Sequence, residues 1–289
     1  MFINLLLNGI VTGSIYTLIS LGFIFAYRST GAFNFFHGEL YMLGAFSGYI
    51  LHSEIGLPLI LCLPLAILVT CFAGIAVERI AIRPLVLAPH YHIIIATAAL
   101  GLAIRNLVLV ETKGNTKLFP PYLPSSGPTI FDVRLHYQKI LIIAVTLMLV
   151  VLLQIFFKRT KAGKAMRALV SNQKAALLMG INVSSMQMVT FGLASALGGI
   201  AGILAAPLFV VDAYMGLFMT FKIFCVAVLG GLTSTTGPIV AGYLLGIMEN
   251  LVAGYLSSEY GDILSFLIII LILVFRPSGI MGKKISQKI

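Results

Sequence analysis

Long apolar runs separated by short polar breaks fill the chain from its first residues to its last helical stretch. Nine can be drawn: Leu5 to Tyr27, Glu39 to His52, Pro58 to Val77, Ile93 to Val110, Lys139 to Phe157, Met186 to Val211, Phe218 to Gly231, Pro238 to Leu256 and Ile263 to Phe275. A bilayer core of about 30 Å takes roughly 20 apolar residues per helix, so the pattern predicts an all-α, polytopic transmembrane helix bundle. Glu39 to His52 and Phe218 to Gly231 are short, and each is expected to be a re-entrant or broken helix. The expected number of membrane segments is therefore eight to ten. The stretches ALGGIAG (196–202) and LGGLTSTTGP (229–238) also suggest helices interrupted at depth. Comparing Leu5 to Gly48 with Phe191 to Gly231 gives only shared glycine spacing, too little to define an internal repeat.

One polar interruption, residues 157–185, differs from the rest. Apolar residues recur at helical intervals through Ala165, Met166, Leu169 and Val170, and again through Ala175, Leu178 and Met179. Ser171 and Asn172 stand between the two runs as an N-cap pair, and Gly180 stands where a left-handed residue would close a helix. Two short helices with a turn between them are expected. Ser184 and Ser185 are then placed to cap a long apolar helix from Met186.

Composition agrees with a membrane setting: 60% of 289 residues are hydrophobic and 10% charged, more apolar surface than a soluble core needs. The chain reads as a single transmembrane domain, 1–289. The net charge of +10 does not indicate nucleic acid, because the basic residues alternate with membrane spans instead of forming one patch. They define topology instead. If residues 157–185 are cytoplasmic, alternation puts Arg28, Arg79, Arg83, Arg276, Lys283, Lys284 and Lys288 on the same side. Lys113, Lys117, Arg134 and Lys139 then lie outside with Glu54, Glu111, Asp132, Asp212, Glu259 and Asp262. An odd number of crossings follows, with the N-terminus outside and the C-terminus cytoplasmic. Residues 111–138 form the long outer loop. Four prolines between Phe119 and Pro128 exclude a helix there, and the loop reads as a tether, with capping of the outer face or contact with a partner as the alternatives.

The N-terminal residues lack a basic n-region and a small-residue cleavage site, so no signal peptide is expected. Cys62, Cys71 and Cys225 sit in apolar runs without C-x-x-C spacing and read as small buried hydrophobes. Gly-x-x-x-Gly pairs at Gly9/Gly13, Gly44/Gly48, Gly198/Gly202 and Gly242/Gly246 predict closely approaching helix backbones.

Charged residues inside spans are costly and point to function. Glu39, in Asn34-Phe-Phe-His37-Gly-Glu39, either caps the positive end of its helix or lines a pathway. Lys222 is expected to snorkel outward, and Arg105 to sit at the outer interface near Glu111. Glu249, deep in an apolar helix, requires a partner or a wet cavity. Enzyme signatures fail on spacing. His37-Gly-Glu39 has no P-C-x-x-C after it, and His90 and His92 point to different faces of a helix. Gly163-Lys164 lacks the upstream glycine and following Ser or Thr of a phosphate-binding loop.

Several stretches in a fixed order resemble the H-type permease subunit of Liv-type branched-chain amino acid ABC importers. They are Gly13-Ser-Ile-Tyr-Thr-Leu-Ile-Ser-Leu-Gly22, Thr30 to Glu39 with Tyr41-Met-Leu-Gly44, and Glu78-Arg-Ile-Ala-Ile-Arg-Pro-Leu85. The series continues with Gly163-Lys-Ala-Met-Arg-Ala168, Ala176-Leu-Leu-Met-Gly-Ile181, and Val228-Leu-Gly-Gly-Leu232 with Gly237-Pro238. The resemblance implies a bacterial inner-membrane permease that transports a small solute by alternating access. Its implied partners are a homologous M-type permease, two cytoplasmic ATPase subunits, an extracytoplasmic substrate-binding protein and membrane lipid. No cofactor is expected in this chain, since ATP and Mg would be bound by the ATPases. It further implies that Gly163, Met166, Arg167, Ala168, Asn172, Ala176, Met179, Gly180 and Ile181 belong to a coupling loop seated in the ATPase. Asn34, His37, Glu39, Lys222 and Glu249 are the pathway candidates. Permeases for urea, short amides or nucleosides look alike, and an ATPase-independent secondary transporter or channel is the alternative of another kind.

Overall fold

The computed structural model describes every residue except 87, 125–126, 131–132, 277 and 283–289; Asp132, Lys283, Lys284 and Lys288 of the topology argument lie outside the described residues. Among the described residues eleven α-helices carry the chain: α1 (Phe2–Thr30), α2 (His37–Tyr49), α3 (Leu59–Val77), α4 (His90–Thr112), α5 (Tyr137–Arg159), α6 (Lys161–Ser171), α7 (Gln173–Leu178), α8 (Val183–Ala205), α9 (Met215–Gly230), α10 (Gly237–Tyr255) and α11 (Ser258–Phe275). Each of the nine apolar runs contains a helix, although Met186–Val211 is helical only as far as Ala205, and the stretch 196–202, expected to interrupt a helix, runs unbroken within α8. Six helical stretches among the described residues are long and apolar enough to cross a membrane: α1, Leu59–Leu85, α4, α5, α8 and α10. The chain is a polytopic helical membrane bundle.

Two of those six are core helices. Most of α1 and α8 is buried, whereas α4 and α5 expose leucine, valine and isoleucine along most of their length, as a lipid-facing helix must. Inner helices are held at backbone contact by glycine. A methyl group added at Gly9 of α1 would fall 2.6 Å from Ile247 Cα of α10, and one added at Gly44 of α2 would fall 2.6 Å from Gly199 Cα of α8. All four Gly-x-x-x-Gly pairs thus face a neighbouring helix. In lipid, where no hydrophobic force joins helices, such close approach supplies the packing.

α2 and α9 are half-helices. His37 Nε2 lies 3.0 Å from the Ile19 carbonyl oxygen, which sets the start of α2 beside the middle of α1. Its 13 residues span about 20 Å. Residues 31–36 return without helix from the end of α1 to this depth, held to α4 by the Phe35 N–H donating to Thr97 Oγ1 (3.2 Å). α9 starts against α2 and runs the opposite way, its far end packing on the segment after α11 through the Ile280 N–H to Leu229 C=O bond (2.8 Å).

These halves belong to an inverted repeat. α2 and α9 begin 178 residues apart (37 and 215), as do α3 and α10 (59 and 237), which also end 178 apart (77 and 255). α8 (183–205) lies in the same register as residues 5–27 of α1. The sequence comparison of Leu5 to Gly48 with Phe191 to Gly231 was off this register and so found only glycines.

The end of the bundle bearing α6 and α7 also carries Arg28, Arg79 and Arg83 at the ends of α1 and α3, and is called the basic face below. At the opposite face the loop of residues 111–138 packs on the bundle at two points. Phe119 is buried, stacked on His52 and edge-on to Tyr49, and Lys117 pairs with Val211 through two backbone hydrogen bonds of 2.8 and 3.0 Å. Thr129–Ile130 and Val133–Arg134 form a short antiparallel pair within it.

Candidate translocation site where two half-helices meet

Each half-helix starts from the same local device. The Asn34 Oδ1 accepts from the Phe36 N–H (3.1 Å) three residues before α2 begins, and the Asp212 Oδ1 accepts from the Tyr214 N–H (2.6 Å) three residues before α9 begins. Both side chains turn the backbone and satisfy a donor that the helix start would strand. A glycine follows in the second helical position of each, Gly38 and Gly216. They touch: a methyl group on Gly38 would run into the Gly216 carbonyl oxygen and Thr220 Oγ1. The positive ends of two helix dipoles therefore converge within the bundle, an arrangement that favours anionic groups.

Polar side chains crowd this junction. Glu39 is 1% exposed and ion-paired through Oε1 with Arg105 of α4, while its Oε2 points toward Gly216 and has no hydrogen-bond partner among the described residues. Arg105 is thus no interfacial residue: with α2 starting at mid-depth, Glu39 lies level with the interior of α4. Glu39 sits in the first turn of α2, near the positive end of the helix, but no side chain caps that end by a hydrogen bond and the partner of Glu39 is Arg105. His37 is buried, its Nδ1 without a hydrogen-bond partner among the described residues and its ring edge-on to Phe23 at 5.9 Å.

Beside the junction opens a cavity of about 270 Å³ lined by Phe23, Asn34, Phe35, Thr220, Phe221, Phe224 and Phe266. Its aromatic walls suit an aliphatic group. Asn34, whose carboxamide oxygen accepts from the Phe36 N–H, brings its amide to the cavity wall. Thr220 Oγ1 donates to the Gly216 carbonyl (2.9 Å). The sequence reading named Asn34 here and missed Thr220 and the phenylalanines; four aromatics within Phe218–Phe224 and Phe266 were the available signal, but which of them share a wall depends on tertiary packing.

A second polar group ties α9 into the bundle. Lys222 Nζ donates to Glu249 Oε1 of α10 at 2.5 Å and to Ser265 Oγ of α11 at 3.1 Å, while Tyr16 of α1 donates to Glu249 Oε2 at 2.8 Å. Lys222 is only 9% exposed, so it does not snorkel; a paired lysine avoids the cost of reaching for water. Neither residue lines the cavity.

On the basic face, the polar segment folds as two short helices. Thr160 caps α6 by accepting from the Gly163 N–H (2.9 Å), and Asn172 caps α7 by accepting from the Ala175 N–H (3.0 Å). Gly180, with φ of 79°, is left-handed as expected. α8 starts at Val183, capped by Asn182 and not by the serines, because the Asn182 Oδ1 accepts from the Ser185 N–H (3.0 Å). Met166, Leu169 and Ala176 are buried and hold the segment to the bundle, and Gly163 is seated against the end of α5. Arg167, Ala168, Asn172 and Gly180 are exposed and Ile181 is half-buried. Leu177, Leu178 and Met179 form an apolar tip, the last two 89% and 83% exposed.

A membrane bundle built as an inverted repeat, with half-helices meeting inside it, defines the class of membrane transport proteins. Residues 5–273 match the family described as branched-chain amino acid transport system / permease component, and the chain belongs to that family. It is 33% identical over 301 residues to the high-affinity branched-chain amino acid transport system permease protein BraD of Pseudomonas aeruginosa, covering 100% of this chain and 98% of that one. Identity to the permease protein LivH of Escherichia coli K12 is 30% over 302 residues, with the same coverage. The permease protein LivM of Salmonella typhimurium is 24% identical over 293 residues, covering 92% of this chain and 68% of LivM. No solved structure matches the chain.

Proposed function

We propose that this chain is the H-type permease subunit of an ATP-driven importer in a bacterial inner membrane, and that its solute is a branched-chain or other hydrophobic amino acid. The substrate is the one named for its relatives, and the phenylalanine-walled cavity beside two converging helix N-termini suits a solute with an aliphatic side chain and a carboxylate. Urea, lacking an apolar part, suits it poorly. A homologous M-type subunit forms the other half of the pathway, in keeping with the similarity to LivM.

The single observation that carries the ATP-driven reading is the apolar tip of α7. Leu178 and Met179 stand almost fully exposed outside the apolar spans, on a capped segment anchored by Met166 and Leu169. An anchored hook with a bare tip suits a partner that grips it. The basic face is then cytoplasmic, two ATPase subunits seat the hook, and their closure passes through α6 to the ends of α5 and α8. ATP and Mg belong to those subunits. A substrate-binding protein delivers solute to the opposite face.

The test is uptake of labelled leucine into proteoliposomes containing both permeases, with and without the co-purified ATPases. ATP-dependent uptake that vanishes without the ATPases is expected. Undiminished uptake in their absence overturns the importer reading in favour of a self-contained transporter.

A further inference from the structure

A second cavity, about 360 Å³, lies at the basic face between α1, α5 and the α6 segment, away from the half-helix junction. Its lining changes character with depth. On α1 the wall runs Leu21, Phe25, Arg28, and on α5 it runs Val150, Leu153, Phe157, Lys158. Those spacings keep each series on one helix face, so the apolar end is buried in the membrane and the charged end opens at its surface, over roughly 10 Å of helix. Arg167 of α6 completes the charged end, and Ser234 and Thr235 of the α9–α10 turn supply hydroxyls to it.

Among the described residues none of the three cations is in an ion pair, and the polar groups that share the lining, Gln154 and the Ser234 and Thr235 hydroxyls, are neutral. Glu78, the acid at the basic end of α3, is taken by Arg83 through two bonds of 3.1 and 3.2 Å. Arg28 is half-buried in this state. A half-buried guanidinium without a counter-charge, above an apolar crevice open to a lipid-facing helix, is complementary to an anion that carries its own hydrocarbon.

We propose that this crevice binds an anionic phospholipid, its phosphate held by Arg28, Lys158 and Arg167 and one acyl chain laid between Phe25 and Leu153. A free phosphate leaves the apolar half unfilled. A carboxylate side chain from a docked ATPase is too short to reach Leu21 and Val150. The lipid bridges the last turns of α1 and α5 to α6, so its presence stiffens the base of the hook.

The test is native mass spectrometry of the full chain, purified in mild detergent with whatever subunits accompany it, titrated with phosphatidylglycerol, phosphatidylcholine of the same chains, or inorganic phosphate. Retention of phosphatidylglycerol over phosphatidylcholine is expected, weakening about fivefold for each of Arg28→Gln and Lys158→Gln. Arg28→Lys is expected to keep it, which separates lost charge from misfolding. Leu153→Trp, which fills the crevice without altering charge, is expected to abolish it. Equal retention of the two lipids, inorganic phosphate competing as well as lipid, or binding indifferent to Leu153→Trp each overturns the proposal. So does lipid that binds only after accompanying subunits are stripped away, since the crevice then serves the partner.

Discussion

Lys222 of α9 donates to Glu249 of α10 across 2.5 Å, and Tyr16 of α1 donates to the other oxygen of the same carboxylate. Glu249→Gln keeps an acceptor for Tyr16 and removes the charge that Lys222 faces. Breaking a buried pair from one side costs about 3 kcal/mol, so the midpoint of thermal unfolding in detergent is expected to drop. The double replacement Lys222→Met with Glu249→Met is expected to be more stable than Glu249→Gln alone. An unshifted midpoint in the single variant would mean that water already reaches the pair.

Gly38 and Gly198 are both inner glycines, yet they differ in what surrounds them. A methyl group at Gly38 collides with Gly216 and Thr220, whereas at Gly198 its nearest neighbour is Leu40 Cβ at 3.4 Å, an ordinary contact. Gly38→Ala is therefore expected to separate the half-helices, costing about 1–3 kcal/mol and abolishing uptake. Gly198→Ala is expected to fold normally, its helix helped by up to about 1 kcal/mol. Fluorescence size-exclusion profiles and leucine uptake of the pair check this; equal behaviour would remove the backbone contact as the reason for glycine.

Asn34 turns the chain with its carboxamide oxygen and also lines the cavity, and Asn34→Asp separates the two roles. The oxygen that turns the chain before α2 is retained, as Asp212 does before α9, while the cavity loses its amide donor and gains a negative charge. Folding is expected to be normal and uptake about tenfold lower, the scale of one lost hydrogen bond. Uptake at the original rate would take Asn34 out of the solute path.

Gly180 and Leu178 probe the hook separately. Gly180→Val strains a left-handed residue by about 1–2 kcal/mol without touching a neighbour, since nothing lies within 4 Å of the added carbon. Hydrolysis of ATP by the assembled complex is expected to persist while uptake falls. Leu178→Asp is expected to prevent ATPase co-purification. If both variants assemble and transport as before, the tip is not the docking point.

Hydropathy alone made the membrane bundle legible, including the two short segments, because a bilayer imposes one length and one polarity on every full crossing. The hook was also legible, since caps and the left-handed glycine act within four residues of themselves. What escaped depended on depth. Arg105 and Lys222 were placed by their distance along the chain from a loop, but α2 and α9 begin inside the membrane, which brings each residue level with a buried carboxylate. The inverted repeat was hidden for a related reason: turn chemistry at Asn34 and Asp212 preserves geometry while sharing no long identity. Phe221, Phe224 and Phe266 could be recognised as aromatic but not as one wall.

The bare leucine and methionine of α7 bear on how the cell handles this polypeptide. Uncovered apolar side chains are what chaperones and proteases inspect, and a shift of one or two kcal/mol already changes abundance several-fold. If the proposed ATPase shields Leu178 and Met179, copies made in surplus over it would be cleared, and the dosage of this membrane protein would follow the synthesis of a soluble one.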